Sequence, residues 1–241
     1  MVNLTVDVKT TKAGLYTVTF GYTRAPLDIQ EASFAAVGLD IVSPAQLGFL
    51  RAKVKDGEFN RYSRTDADVF YDDRISQAVI VPKGAMRNLV GIASLVDAHR
   101  QGKECVVPKG QRELAYALID EMLGNGIAFT APYGQTDVQI SDFGQHDVTS
   151  RLFTDKSLGI KAQDYGDFLA KQERKVQSLF FDDKAYALSQ EAPYINGLRV
   201  WGPDISFDVV GGSGNLGGSG GAFGVRFTKN ATSQPSPGLA A

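Results

Sequence analysis

The sequence predicts an α+β fold: antiparallel, β-rich N- and C-terminal segments around a central helix-containing block. Three observations carry that prediction. Apolar and polar residues alternate in "NLTVDV" and again in "LYTVTF" near the N-terminus. Apolar residues recur at helical spacing between residues 76 and 131, and β-branched and aromatic residues return in "NGLRVWG", "DISFDVV" and "AFGVRFTK" near the C-terminus.

Taken in order, Val2, Leu4, Val6 and Val8 form one arm of a β-hairpin, "KTTKAG" its turn, and Leu15, Tyr16, Val18 and Phe20 the second arm. In "SPAQLGFLRAK", Ser43 stands where an N-cap is wanted and Pro44 at the first helical position. Residues 56–73 are polar and aromatic without a steady period and read as an extended, loop-rich segment. Next, "SQAVIV" precedes a helix with Met86, Leu89, Ile92 and Val96 on one stripe, ending near Gly102. The pattern recurs: "ECVV" precedes a helix carrying Leu114, Leu118 and Met122, closed by Gly124 or Gly126 and followed by "IAFTA". This strand–helix order allows a βαβαβ block with a parallel sheet. "AQDYGDFLAKQERKVQSLFF" reads as one long helix through Tyr165, Phe168, Leu169, Val176, Leu179 and Phe180. Residues 1–229 are expected to form one domain, and 230–241 a low-complexity tail.

The totals narrow the function classes. With 25 Lys and Arg against 27 Asp and Glu, the net charge is -2, and no global field draws in nucleic acid. Cys105 is the single cysteine, lies among valines and reads as a buried structural thiol, so no intrachain disulfide frames the fold. The start lacks the basic and apolar regions of a secretory leader, and no run approaches the ~18 apolar residues of a membrane span, which suits a cytoplasmic chain with no membrane partner.

The motifs are few. Gly212, Gly214 and Gly217 match G-x-G-x-x-G after a strand. A dinucleotide site also needs a following helix, whose N-terminal amides hold the pyrophosphate. Here "GSGGAFG" follows, so the match reads as accidental. The loop itself, with 8 glycines among the 14 residues from Gly211 to Gly224, suits a close approach to another chain. Val-Pro-Lys-Gly occurs twice, at 81–84 and 107–110. In a parallel sheet Lys83, Lys109, Arg87 and Arg112 would gather at the strand ends as a phosphate site. Ordinary strand-to-helix turn chemistry accounts for the same tetrapeptide.

His146 has Asp142 and Asp147 nearby with Ser141 and Ser150, but a Ser-His-Asp set needs partners from different elements. The other histidine, His99, sits near a helix end. Asp66, Asp68, Asp72 and Asp73 offer the oxygens a hard cation prefers, in a spacing that matches no EF-hand and reads as a solvated acidic loop. No cofactor motif occurs and no catalytic constellation assembles, which predicts a chain that is not an enzyme.

Aromatics in irregular segments, Phe70 and Tyr71 among them, suit subunit contacts, as do Gly212, Gly214, Gly217, Gly218, Gly220 and Gly221. The texture resembles that of a structural subunit of a large assembly, a virus or bacteriophage particle protein from capsid or tail, whose partners are copies of itself and other structural subunits in the virion. Two alternatives carry different chemistry. CRISPR-associated subunits with ferredoxin-like folds carry glycine-rich C-terminal loops similar to this one, which would make the loop and Arg226 an RNA contact. A phosphate-binding α/β protein would use Lys83, Lys109, Arg87 and Arg112.

Overall fold

The computed structural model describes residues 4–55, 57–101, 106–181, 193–200, 209–211 and 220–230. Cys105, Gly212, Gly214, Gly217, Gly218 and the tail from 231 onward lie outside the described residues. The α+β class stands, with helices packed around a large, mostly antiparallel sheet.

The N-terminal hairpin joins β1 (Lys9–Ala13) to β2 (Tyr16–Arg24), with Ala13 opposite Tyr16 and Lys9 opposite Phe20. The residues expected to turn are themselves the first strand. A two-residue connection at Gly14 and Leu15 suffices, and the threonines of "KTTKA" suit an edge strand. After α1 (Leu27–Ala36) and the short β3 (Asp40–Ile41) comes α2 (Pro44–Lys53), the helix its cap announced. Its capping box is reciprocal: the Gln46 N–H donates to Ser43 Oγ at 3.1 Å, and the Ser43 N–H donates to Gln46 Oε1 at 3.1 Å.

The segment expected to be loop holds β4 (Ser63–Tyr71), a central strand of the sheet. It pairs with β5 (Gln77–Val81) and β9 (Tyr194–Val200) antiparallel, and touches β11 (Gly221–Lys229) in parallel at Arg64 and Ala222. Its polar residues conceal its period because several are buried with partners. Ser63, Arg64, Thr65 and Asp68 are each at most 2% exposed.

The βαβαβ block is corrected. β5 pairs antiparallel with both β4 and β6 (Phe129–Pro132), and Val106 makes only an isolated antiparallel bridge to Tyr194. Between them lie α3 (Ala85–Val90), α4 (Ile92–Arg100) and α5 (Arg112–Gly124), the first two separated at Gly91. In α5 the buried stripe is Ala115, Ile119 and Met122: Met122 is as expected, Ala115 and Ile119 take the places expected of Leu114 and Leu118, and Leu114 is 58% exposed.

After β7 (Gly134–Gln139) and α6 (Asp147–Leu152), the long helix expected to start at 162 ends early. It is α7 (Ala162–Lys171), followed by Glu173 at φ 59° and by β8 (Val176–Phe181). Gln177, Leu179 and Phe181 are buried and alternate with more exposed neighbours, the period of a strand. No glycine or proline marked the change in "QERK". β10 (Val209–Gly211) joins β8 in parallel. Along the sheet the order is β1-β2-β11-β4-β9-β10-β8-β7, with β3 on β11 and β5–β6 on β4.

Each face of the sheet is covered. On one, Ala67, Val69 and Tyr71 of β4 pack with Leu47 and Leu50 of α2, Val148 and Leu152 of α6 and Leu169 of α7. On the other, Phe70 packs with Leu27 and Phe34 of α1, Met86 of α3, Val96 of α4 and Ile119 of α5. No helix among the described residues is long and apolar enough to cross a membrane.

Candidate functional site

A bulge in the middle strand makes the site. Along β4–β9 the pairing passes from Arg64 opposite Arg199 to Asp68 opposite Gly197, so β4 spends two more residues than its partner. The excess segment, 65–67, is held from several sides. The Asp66 N–H donates to the Val42 carbonyl at 3.0 Å, Thr65 Oγ1 donates to the Leu198 carbonyl at 3.1 Å, and an Arg87 Nη donates to the Thr65 carbonyl at 3.2 Å. Asp66 thereby reaches two neighbouring clefts.

The first cleft encloses about 490 Å³ between α1, β3, the bulge and the start of α3. Ala35, Leu39 and Ile41 supply the apolar part of its lining, while Glu31, Asp40, Gln46, Asp66, Lys83, Arg87 and Asn88 supply polar groups. The second, about 370 Å³, shares Gln46, Asp66 and Lys83 and continues to Arg151, Asp155 and Lys156. Burial pushes the Asp66 carboxyl up to about 6, against the pull of Arg87 and Lys83 and with the push of Asp68 and Asp155.

Beneath the first cleft lies a buried ion pair. Arg87 Nε stands 2.7 Å from Asp68 Oδ1, with the two side chains 1% and 0% exposed. The Arg87 backbone N–H donates to Asp68 Oδ2 at 3.1 Å, so one carboxylate holds both the guanidinium and the start of α3. Arg87 Nη1 also reaches Glu31 Oε1 at 3.3 Å. Burial raises the pKa of both Asp68 and Glu31, and Arg87 opposes the rise in each. The turn into α3 is tight: Lys83 and Gly84 are both left-handed, at φ 58° and 60°. A Cβ on Gly84 would meet Arg87 Nε at 2.6 Å.

Of the residues expected to bind phosphate, Lys83 and Arg87 meet here and Lys109 and Arg112 do not. Lys83 follows Val81, opposite Asp68 at one end of the β4–β5 ladder. Lys109 follows Val106, which bridges Tyr194 at the other end, where Tyr71 pairs with Ala78. The antiparallel sheet separates what a parallel one would have gathered. The cleft also carries three carboxylates, Glu31, Asp40 and Asp66, which suit an anion poorly.

The acidic residues do not form the solvated loop expected. Asp66 and Asp68 belong to β4, Asp72 pairs with Arg74 at 2.7 Å, and Asp73 accepts from the Tyr116 hydroxyl. Among the described residues, no group of three or more His, Cys, Asp or Glu could hold a metal ion. His146 precedes α6, Ser141 Oγ donates to Asp142, and Ser150 Oγ donates to the Asp147 carbonyl. These contacts are local and bring no Ser-His-Asp set together. Phe70 and Tyr71 are core residues at 0% exposure, not surface anchors. Gly220 and Gly221 lie against the sheet. The Gly220 carbonyl accepts from Gln30 Nε2 at 2.8 Å, and a Cβ on Gly221 would strike the Tyr22 hydroxyl. Arg226 is exposed on β11.

Sequence reasoning missed Glu31, Asp40, Gln46 and Asn88. Only Gln46 left a local signal, as the fourth residue of the capping box.

No protein-family model and no curated protein matches the chain. Among solved structures, a chain from Nanoarchaeota described as accommodating massive sequence variation by the C-type lectin fold is similar, at 12% identity and a TM-score of 0.52. The match covers 90% of this chain and 99% of that one. The likeness is to the C-type lectin fold. It spans nearly the whole of both chains and is a likeness of fold alone.

Proposed function

We propose that the chain is a non-catalytic structural subunit of a large assembly, a virus or bacteriophage particle protein of capsid or tail, acting through contacts with copies of itself and other subunits. The observation that carries this reading is how its buried charges are used. Arg51, Arg64 and Arg87 are each at most 2% exposed, and all three hold backbone in place. Arg51 donates to the carbonyls of Phe59 and Arg61, each at 2.9 Å, and to the Tyr165 hydroxyl at 2.9 Å. Arg64 donates to the Ala25 carbonyl at 2.9 Å, and Arg87 to that of Thr65. Arg51 and Arg64 clamp irregular connections and Arg87 the β4 bulge, which preorganises a surface and lowers the entropy lost when a partner docks. The nanoarchaeal neighbour, said to accommodate massive sequence variation on the same fold, supports this division between a firm interior and an adaptable exterior.

The test is the solution mass by light scattering over a concentration series, with the ultraviolet absorbance of each peak read for nucleic acid. Rings, shells, tubes or concentration-dependent growth free of nucleic acid are expected. A strict monomer at every concentration overturns self-assembly, and a co-purifying nucleic-acid signal turns the reading to RNA binding.

A further inference from the structure

The first cleft has the make-up of a receptor for one kind of chemical group. Its lining is mixed: Ala35, Leu39 and Ile41 are apolar, while Asp66, Gln46, Lys83 and Asn88, from other elements, are polar. Among the described residues, the Asp66 carboxylate meets no hydrogen-bond donor and no ion-pair partner, although its backbone is pinned by Val42. Gln46 Oε1 is taken by the Ser43 N–H, which fixes the side chain and leaves its amide NH₂ to the cleft. Arg87 adds little free positive charge, since Asp68 and Glu31 share its guanidinium. Asp66 and Asp40 therefore stand against Lys83 alone, and the cleft is acidic.

We propose that this cleft binds an alkylammonium or alkylguanidinium group, the chemistry of a lysine or arginine side chain, with the stem along Ala35, Leu39 and Ile41 and the cationic head on Asp66. Long cationic side chains combine an apolar stem with a charged tip, which matches a cleft lined by both apolar side chains and carboxylates. A partly buried carboxylate without a donor gains most from a cation that supplies charge-assisted hydrogen bonds. Lys83 acts against the ligand, since its ammonium competes for the same carboxylate. The groups facing Asp66 are Arg87, Lys83, Asp68 and Asp155, joined in the cleft by Glu31 and Asp40. The inference goes beyond the assembly reading and does not require self-association.

The experiment titrates the full chain with n-butylammonium and with an N-acetyl-lysine methylamide probe, following backbone amide NMR shifts at neutral pH. Shifts clustered around residues 35–46, 66 and 83–88 are expected, with neutral butanol shifting them far less. Asp66→Asn should weaken binding by about tenfold or more. Lys83→Gly, which keeps the left-handed backbone comfortable, should strengthen it. Equal affinity for butanol, undiminished binding by Asp66→Asn, or a divalent cation that binds the same residues more tightly than either amine would overturn the proposal. So would Lys83→Gly that binds no better, which covers the case of an Asp66→Asn chain that does not fold. Equal affinity for the two amines identifies a free ammonium as the ligand, and preference for the blocked lysine identifies a side chain presented by a protein. Because the readout is a site-specific shift and not particle mass, its failure is separable from that of the assembly reading.

Discussion

The two Val-Pro-Lys-Gly copies share four residues and almost nothing else. At 81–84, Lys83 and Gly84 are left-handed, the turn is packed onto Arg87 and it lines both clefts. At 107–110, Pro108 is extended at φ -55° and ψ 140°, residues Lys109–Gln111 form a surface 3₁₀ turn, and nothing lies within 4 Å of a Cβ on Gly110. The first copy has a buried carboxylate beneath the helix it opens; α5, after the second, has no side-chain cap. The difference teaches that a turn motif supplies permission to turn, while the group underneath chooses the conformation.

The comparison is most sharply broken at the arginines. Arg87→Ala leaves Asp68 buried without its partner and should cost about 3–5 kcal/mol in urea unfolding. Arg112→Ala, its counterpart in the second copy, reaches the Val107 carbonyl at 3.3 Å from a partly exposed position and should cost below about 1 kcal/mol. Equal losses would remove the distinction.

A pH series addresses Asp66, which has no equivalent near Lys109. Its folded pKa of about 6 lies above the ordinary carboxylate value of 3.8, so the folded state holds this proton more tightly. The resulting stability is full below about pH 4 and is lost as pH rises through 6, a fall of the order of 2–3 kcal/mol. Asp66→Asn should flatten that part of the curve and raise the neutral-pH melting temperature. An unchanged pH slope in the variant would show that the carboxylate is solvated.

Gly84→Ala meets both a positive φ and the Arg87 side chain and should cost about 1–3 kcal/mol, whereas Gly110→Ala should stay within about 0.5 kcal/mol. Lys83→Gly is the smallest effect: relief of a left-handed lysine should stabilise by up to about 1 kcal/mol, while Lys109→Gly should stabilise nothing. Chemical denaturation of the four variants side by side decides both pairs.

Much of the architecture was readable locally. Alternation placed the second arm of the terminal hairpin but put its first arm too early, and Ser43 and Pro44 announced the start of α2. Where charge is buried, legibility failed. "SRTDADVFY" looks like a loop because hydropathy counts Arg64 and Asp68 as surface residues, yet distant partners take both inside. "AKQERKVQSLFF" looks helical because positions spaced for one period also satisfy the other over a short stretch, so β8 emerged from its pairing with β7 and β10. The cleft was half legible: Lys83 and Arg87 were singled out for their charge, but as part of a phosphate site that a parallel sheet would have built.

By itself, then, the sequence determined the α+β class, the strand-rich ends, the cap of α2 and the apolar periodicity of the middle, because each depends on contacts within a few residues. Only the tertiary structure decided the antiparallel placement of β5, the bulge that presents Asp66 and the left-handed turn at Lys83. These depend on contacts between distant parts of the chain, 19 residues apart for Arg87 with Asp68 and 133 for Thr65 with Leu198, and the free energy of a buried charge is set by such partners.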